Sequence, residues 1–131
     1  MRPNPKLNNK KKILVVDDDD NLRQSLKAGL EEQGFKIFLA SDGEEGFEKA
    51  KENLPDLILL NIMMPKMDGM MTTLKLKGEK ETRHIPVLIM SGIREKEERI
   101  LSHNVGAADY LIKPFTTEQL LEKIHKLLLG K

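Results

Sequence analysis

The feature of this chain that most constrains its fold is a regular alternation of short apolar runs with segments of helical spacing. Five runs of strand length are each followed by a stretch with the marks of a helix. Alternation of this kind predicts a parallel sheet with helices on both faces, an α/β fold. The predicted strands are Ile13–Val16, Lys36–Leu39, Leu57–Leu60, Val87–Met90 and Tyr110–Ile112.

The segments between the strands carry signals for where helices begin. Two of them have capping-box spacing, in which a hydroxyl residue precedes Glu or Gln by three positions. These boxes predict helix starts at Ser41 with Glu44 and at Thr116 with Gln119. The third helix, 69–77, has the weakest pattern. Its apolar face is predicted from four residues: Met70, Met71, Leu74 and Leu76.

Composition excludes several classes of protein. With 131 residues, 39% hydrophobic and 33% charged, the chain suits one domain with one core. Lys plus Arg is 22 and Asp plus Glu is 21, a balance that argues against a dedicated nucleic-acid or membrane-surface binder. The absence of cysteine excludes disulfide scaffolds, thiol nucleophiles and zinc–thiolate sites.

The sequence has no marks of a membrane-spanning or secreted protein. No apolar run approaches the ~20 residues of a transmembrane helix. Residues 1–12 are polar and basic and are not followed by the long apolar h-region of a signal peptide. We therefore expect a cytoplasmic domain over residues 12–131, preceded by a mobile tail over residues 1–11.

Polar side chains follow four of the predicted strands. The first strand is followed by 17–20, a run of four aspartates, the third by Asn61, the fourth by Ser91 and the fifth by Lys113. Ligands of open α/β sheets bind at the carboxyl ends of the strands. Carboxylates suit Mg²⁺, whereas a lysine and a hydroxyl suit phosphate oxygens, so a combined site is predicted. The alternative is that the aspartates solvate a loop and cap a helix, with Lys113 as their counter-ion.

Four motifs at these strand ends resemble the receiver domain of two-component response regulators. The resemblance covers residues 12 to about 129. It implies a flavodoxin-like, doubly wound fold with five parallel strands in the order 2-1-3-4-5 and five helices. It also implies a signalling domain rather than an enzyme. The motifs are Ile13-Leu-Val-Val-Asp-Asp, the stretch from Pro55 to Gly69, Ile85-Pro-Val-Leu-Ile-Met-Ser91-Gly, and Gly106-Ala-Ala-Asp-Tyr110-Leu-Ile-Lys113-Pro-Phe115.

The resemblance implies a metal site. Asp17 and Asp18 match the acidic pair that holds Mg²⁺ in the family. Met63 matches the residue whose backbone carbonyl completes the metal shell. Asn61 lies at the position of another metal ligand, and its neutral amide weakens the binding expected there.

The resemblance also implies a phosphoryl site and a switch. Ser91 matches the hydroxyl residue that bonds the phosphoryl group. Lys113 matches the lysine that pairs with the acceptor and the phosphate, and its bond to Pro114 is expected to be cis. Tyr110 matches the aromatic residue that switches with Ser91.

Asn61 departs from the family pattern, because the family's phosphoacceptor at that position is an aspartate. A carboxamide is not a useful nucleophile at neutral pH and forms no acyl phosphate. We therefore expect this chain to stay unphosphorylated and to bind Mg²⁺ weakly. Two explanations stay open. Asn61 is either an engineered replacement that locks the unphosphorylated form, or the mark of a degenerate receiver that acts as a phosphorylation-independent interaction module.

The partners implied are a histidine kinase or phosphotransfer protein, and a downstream protein at the fourth helix, fifth strand and fifth helix. No direct contact with nucleic acid or membrane is expected. A third hypothesis is a phosphatase of the haloacid dehalogenase type. The motifs of that family are mimicked here by Asp17-x-Asp19, Ser91 and Lys113. Asn21 argues against it because Thr or Val is expected there, and the chain is short and lacks the late acidic motif.

Overall fold

The computed structural model describes residues 11–62, 64, 67–92 and 105–129, and these contain one five-stranded parallel sheet. The strand order is β2-β1-β3-β4-β5, as the family resemblance implied. The predicted strands are confirmed with ends shifted by one residue, and β3 and β4 extend to include Asn61 and Ser91. The strands are β1 (Lys12–Val16), β2 (Lys36–Ala40), β3 (Leu57–Asn61), β4 (Val87–Ser91) and β5 (Asp109–Ile112).

Four helices lie within the described ranges, and we number them in chain order. The fourth of the five expected helices, which would follow β4, falls on residues outside those ranges. Among the described helices, none is long and apolar enough to cross a membrane. The helices are α1 (Asp20–Glu32), α2 (Gly43–Asn53), α3 (Gly69–Gly78) and the C-terminal α4 (Thr117–Leu129).

The core lies in two layers, one on each face of the sheet. Alternate strand residues point to opposite faces, so that Ile13 and Val15 join one layer and Leu14 and Val16 the other. Residues of α1 and α4 complete the first layer, whereas residues of α2 and α3 complete the second. Covering both faces in this way leaves the ends of the strands as the place where polar groups can gather.

The predicted apolar face of α3 is confirmed at Met70 and Leu76, which pack in the core, but is wrong at Met71 and Leu74. Met71 is 59% exposed and Leu74 is 55% exposed, while Thr72 and Thr73 are fully buried. The pattern missed the two threonines because a hydropathy pattern counts threonine as polar. Inside the helix their hydroxyls donate to backbone carbonyls, at 2.8 Å from Thr72 to Asp68 and 2.7 Å from Thr73 to Gly69. With the hydroxyls satisfied locally, the methyl groups can face the core.

One predicted helix start is confirmed and the other is shifted by one residue. The Thr116 backbone donates to Gln119 Oε1 at 2.9 Å, and the Gln119 backbone donates to Thr116 Oγ1 at 3.0 Å, which is a complete capping box. At α2 the cap is Asp42, whose carboxylate accepts from the Glu45 backbone at 2.8 Å, and not Ser41. The displaced Ser41 still donates its backbone N–H to Glu45 Oε1, at 2.7 Å.

Candidate functional site

The sheet gathers the predicted polar residues at the carboxyl ends of its strands. Asp17 follows β1, Asn61 ends β3 and Ser91 ends β4, and these three strands are neighbours in the sheet. Lys113 follows β5 and stays in the ladder, because its backbone N–H donates to Ser91 O at 2.6 Å. The bond from Lys113 to Pro114 is cis, as expected.

The carboxamide of Asn61 lies at the centre of this group. Its Nδ2 is 3.4 Å from Asp17 Oδ1 and 3.3 Å from Asp18 Oδ1. Lys113 Nζ lies 3.3 Å from Asn61 Oδ1 and 3.5 Å from Asp17 Oδ2. These are long hydrogen bonds, so each is weak alone, but together they join the four side chains in one network.

The turn between β1 and α1 is held by its own polar contacts. Asp19 caps α1, because its carboxylate accepts from the backbone N–H groups of Asn21 and Leu22. The Asp19 backbone in turn donates to Asp17 Oδ1 at 2.9 Å. A carboxylate held in this way keeps its second oxygen directed at Lys113, where the ion pair forms.

Burial raises the pKa of the Asp17 carboxyl above its ordinary value. Asp17 has no exposed surface, and loss of water disfavours the ionised form. The backbone hydrogen bond from Asp19 and the charge of Lys113 act in the opposite direction but do not cancel the burial, and the charge of Asp18 adds to the increase. Ionised Asp17 therefore costs the fold free energy when no cation is bound.

The cost of ionising Asp17 gives a prediction for stability against pH. The folded chain holds this proton more tightly than the unfolded chain, whose pKa is near 3.8. Stability is therefore lost as the pH rises from that value through the raised folded pKa, and no further above it. Asp17→Asn does not titrate. We expect its unfolding free energy, minus that of the parent, to increase over this pH range and then level off.

Urea unfolding at a series of pH values, with a chelator present, measures this difference. The amide also changes hydrogen bonds, but that contribution is the same at every pH and does not affect the slope. A difference that stays flat or decreases as the pH rises would contradict the raised pKa.

Ser91 and Tyr110, the two remaining residues of the predicted phosphoryl site and switch, lie on the neighbouring strands β4 and β5. Ser91 is fully buried at the end of β4. Tyr110 lies on β5 opposite Ile89, half-buried against the core layer of α2 and α3. Met63, whose carbonyl was predicted to bind the metal, lies outside the described residues.

The donor set suits a hard cation with few protein ligands. Mg²⁺ is commonly held by one or two carboxylates and several waters, and Asp17 and Asp18 supply two carboxylates at one edge. Within the described ranges there is no group of three or more His, Cys, Asp or Glu side chains that could hold a metal. A cation here would therefore depend on this pair and on backbone or water oxygens.

Comparison with known proteins identifies the family. The profile described as "Response regulator receiver domain" matches residues 13–125. This chain is a receiver domain of the response regulator family. The receiver domain is similar to the transcriptional regulatory protein SrrA of Staphylococcus aureus, with 38% identity over 109 residues, which are 83% of this chain and 44% of that protein. It thus spans less than half the length of the curated relatives it matches.

Solved structures resemble this receiver domain over most of their length. The chemotaxis protein CheY4 of Vibrio cholerae has a TM-score of 0.87 at 29% identity, covering 90% of this chain and 98% of that one. A two-component response regulator from Clostridium difficile has a TM-score of 0.85 at 36% identity, covering 91% and 96%. These matches confirm the CheY-like, flavodoxin-like fold.

Sequence reasoning about the receiver domain missed Arg23, on the first turns of α1. One guanidinium nitrogen donates to the backbone carbonyl of Asp17 at 2.6 Å, and the other pairs with the Asp20 carboxylate. The side chain is 13% exposed. A basic residue one turn after an acidic run could have been interpreted as a clamp on that run, but the contact to a backbone carbonyl has no sequence signature.

Proposed function

We propose that this chain is a two-component receiver domain whose phosphoacceptor position is occupied by Asn61, so that it accepts no phosphoryl group. The observation that carries the proposal is the position of the Asn61 carboxamide. It lies between the Asp17 and Asp18 carboxylates on one side and the Lys113 ammonium on the other. A carboxylate in the same position would lie beside a cation site and a phosphate-binding lysine.

The proposal gives each neighbour a role in the family reaction. Asp17, Asp18 and the backbone carbonyl of Met63 would hold Mg²⁺, which would supply charge stabilisation for a transferring phosphoryl group. Ser91 and Lys113 meet the phosphoryl oxygens. The missing component is the nucleophile, because the amide nitrogen of Asn61 has its lone pair delocalised into the carbonyl group.

The finer assignments on domain bounds, partners and location belong to the same proposal. The receiver domain occupies residues 12–131 and residues 1–11 are a tail. Its partners are a histidine kinase or phosphotransfer protein, and a downstream protein that contacts the segment before β5, β5 itself and α4. Tyr110 on β5 acts with Ser91 as the switch. Direct nucleic-acid or membrane contact, and a location outside the cytoplasm, are not expected.

A second candidate function is a degenerate receiver that acts by protein contact alone. The hydrogen bonds within the site favour this second function, because the Asn61 side chain bonds to both carboxylates and to Lys113 without any ligand. Such a site needs no phosphoryl group to be stable. Both candidates agree that the chain as it stands is not a phosphoryl acceptor.

The direct test is the mass of the intact chain after incubation with acetyl phosphate and saturating Mg²⁺. We expect the mass to stay unchanged, because the Asn61 carboxamide at the acceptor position cannot form an acyl phosphate, and Asp17 and Asp18 are the proposed metal ligands. A gain of one phosphoryl group mapped to this edge of the sheet would overturn the proposal.

Metal affinity is a second prediction of the proposal. Asn61→Asp adds one negative charge, and at ~4 Å and an effective dielectric near 20 a unit charge is worth about 4 kcal/mol before desolvation. Desolvation and repulsion from the existing carboxylates offset much of this, so we expect Mg²⁺ to bind about tenfold tighter or more. Calorimetric titration of the parent and the variant measures the ratio, and equal affinities would contradict the site.

A further inference from the structure

The amide nitrogen of Asn61 makes the two contacts that a bound cation would make. It faces Asp17 Oδ1 at 3.4 Å and Asp18 Oδ1 at 3.3 Å, so one N–H donor group bridges both carboxylates. We infer that the Nδ2 group of Asn61 acts as a built-in substitute for the cation and competes with Mg²⁺ for Asp17 and Asp18. The inference rests on the proposed function insofar as it takes this edge to be the metal site.

Lys113 fixes which end of the carboxamide faces the carboxylates. A lysine ammonium has three donors and no acceptor, so the group 3.3 Å from Nζ must be the amide oxygen. Rotating the amide by half a turn would place Nδ2 against Nζ and the oxygen against two carboxylates. The first contact would bring two hydrogen-bond donors together and the second would bring acceptors together, so the rotated amide is disfavoured.

This orientation opposes metal binding in two ways. A cation that approaches Asp17 and Asp18 must displace the N–H donors that now neutralise them. It also gains no oxygen from Asn61 unless the amide rotates and breaks its bond to Lys113. Asn61 is 6% exposed and Asp17 has no exposed surface, so water has little room to replace the lost contacts.

A substitution can distinguish competition by the Asn61 amide from the mere lack of a negative charge at position 61. Asn61→Ala is as neutral as the parent, so a pure charge effect leaves the Mg²⁺ affinity unchanged. If the amide instead lent its oxygen to the metal, the alanine variant would bind more weakly. Competition predicts tighter binding by Asn61→Ala, because alanine has no N–H group that donates to the two carboxylates. We expect Mg²⁺ to bind about fivefold tighter to Asn61→Ala than to the parent, the size of one or two weak hydrogen bonds to charged groups.

The experiment is calorimetric titration of the full chain with MgCl₂ in four forms: the parent, Asn61→Ala, Asn61→Asp and Asn53→Ala. Asn53 ends α2 and its side chain donates to Lys49 O at 3.1 Å, away from the carboxylates, so Asn53→Ala is the matched control and should keep the parent affinity. Urea unfolding checks that each variant is folded. Tighter binding by Asn61→Ala supports the inference, whereas equal or weaker binding overturns it.

A measurement on the unsubstituted chain guards against a variant that does not fold. The side-chain NH₂ protons of Asn61 are expected to exchange slowly with water when no metal is present, and to lose this protection in step with Mg²⁺ binding. ¹⁵N-resolved NMR of the side-chain amide follows both. Protection that is absent in the metal-free chain, or unchanged at Mg²⁺ saturation, overturns the inference. The proposed function fails on different results, namely a phosphoryl adduct on the parent chain or the lack of one on a folded Asn61→Asp chain.

Discussion

Asn61→Asp alone is expected to turn this chain into a phosphoryl acceptor. With acetyl phosphate and saturating Mg²⁺, the variant should gain one phosphoryl group, while the parent gains none. The reason is that the other groups of the proposed site are already placed. Lys113 Nζ lies 3.3 Å from the side-chain oxygen at position 61, and Asp17 and Asp18 flank the same side chain. Phosphoryl transfer depends on positioning and electrostatics, which the scaffold supplies.

Intact-mass measurement and phosphate-affinity gels detect the adduct, and peptide mapping locates it. Asn53→Asp is the matched control, because it makes the same chemical change at the end of α2, outside the proposed site. Chelation of Mg²⁺ should abolish labelling of Asn61→Asp. In the labelled protein, resonances of Ser91 and Tyr110 should shift, since these residues form the proposed switch.

The two candidate functions diverge on this variant. A receiver blocked at a single position regains transfer when the carboxylate returns. A receiver that has become an interaction module carries further changes in the site that one substitution does not repair. No adduct in a folded Asn61→Asp chain at Mg²⁺ saturation would therefore reject the blocked receiver and favour the interaction module.

The strands and their order could be predicted because the sequence marks them strongly. Buried parallel strands are apolar on both faces, so runs such as Leu57–Leu60 stand out without any alternating pattern. Their polar ends identified the edge of the sheet where Asp17, Asn61 and Lys113 meet. The family resemblance supplied the strand order, which the alternation of strands and helices leaves open.

What could not be predicted depends on local geometry rather than on residue type. The buried faces of Thr72 and Thr73 require hydroxyls that bond within the helix, and a hydropathy pattern counts them as polar. The shift of the α2 cap from Ser41 to Asp42 is a choice between two residues that both make good caps. The direction of the Asn61 amide depends on a lysine 52 positions away along the chain.

The junction between β3 and α3 carries the other large predicted effect. A Cβ atom on Gly69 would lie 2.5 Å from the backbone oxygen of Asn61 and 2.7 Å from the Cα of Ile62. Both neighbours are buried backbone, so they cannot move aside as a flexible side chain could. The Gly69 backbone N–H also donates to Ile62 O at 2.9 Å, which ties the start of the helix to the end of the strand. Only glycine allows this close approach.

Gly69→Ala is therefore expected to lower the unfolding free energy by about 3 kcal/mol, the upper part of the range for overpacking a tight site. Urea unfolding of the metal-free chain measures the change. Gly29→Ala is the matched control, since Gly29 lies within α1 and a Cβ there meets nothing within 4 Å. That variant should be more stable by about 0.5–1 kcal/mol, because alanine favours the helix.

The same substitution also tests whether the backbone of α3 sets the position of Asn61. Relief of the contact at Gly69 requires the end of β3 and the start of α3 to separate, and the carbonyl that must move is that of Asn61 itself. In the Asn61→Asp background, Gly69→Ala should therefore reduce Mg²⁺ affinity and phosphoryl transfer under conditions where the chain is still folded. A Gly69→Ala variant as stable as the parent would contradict the claim that only glycine allows the close contact between α3 and β3. If it is unstable but leaves the Mg²⁺ affinity unchanged, the junction holds the fold without positioning the site.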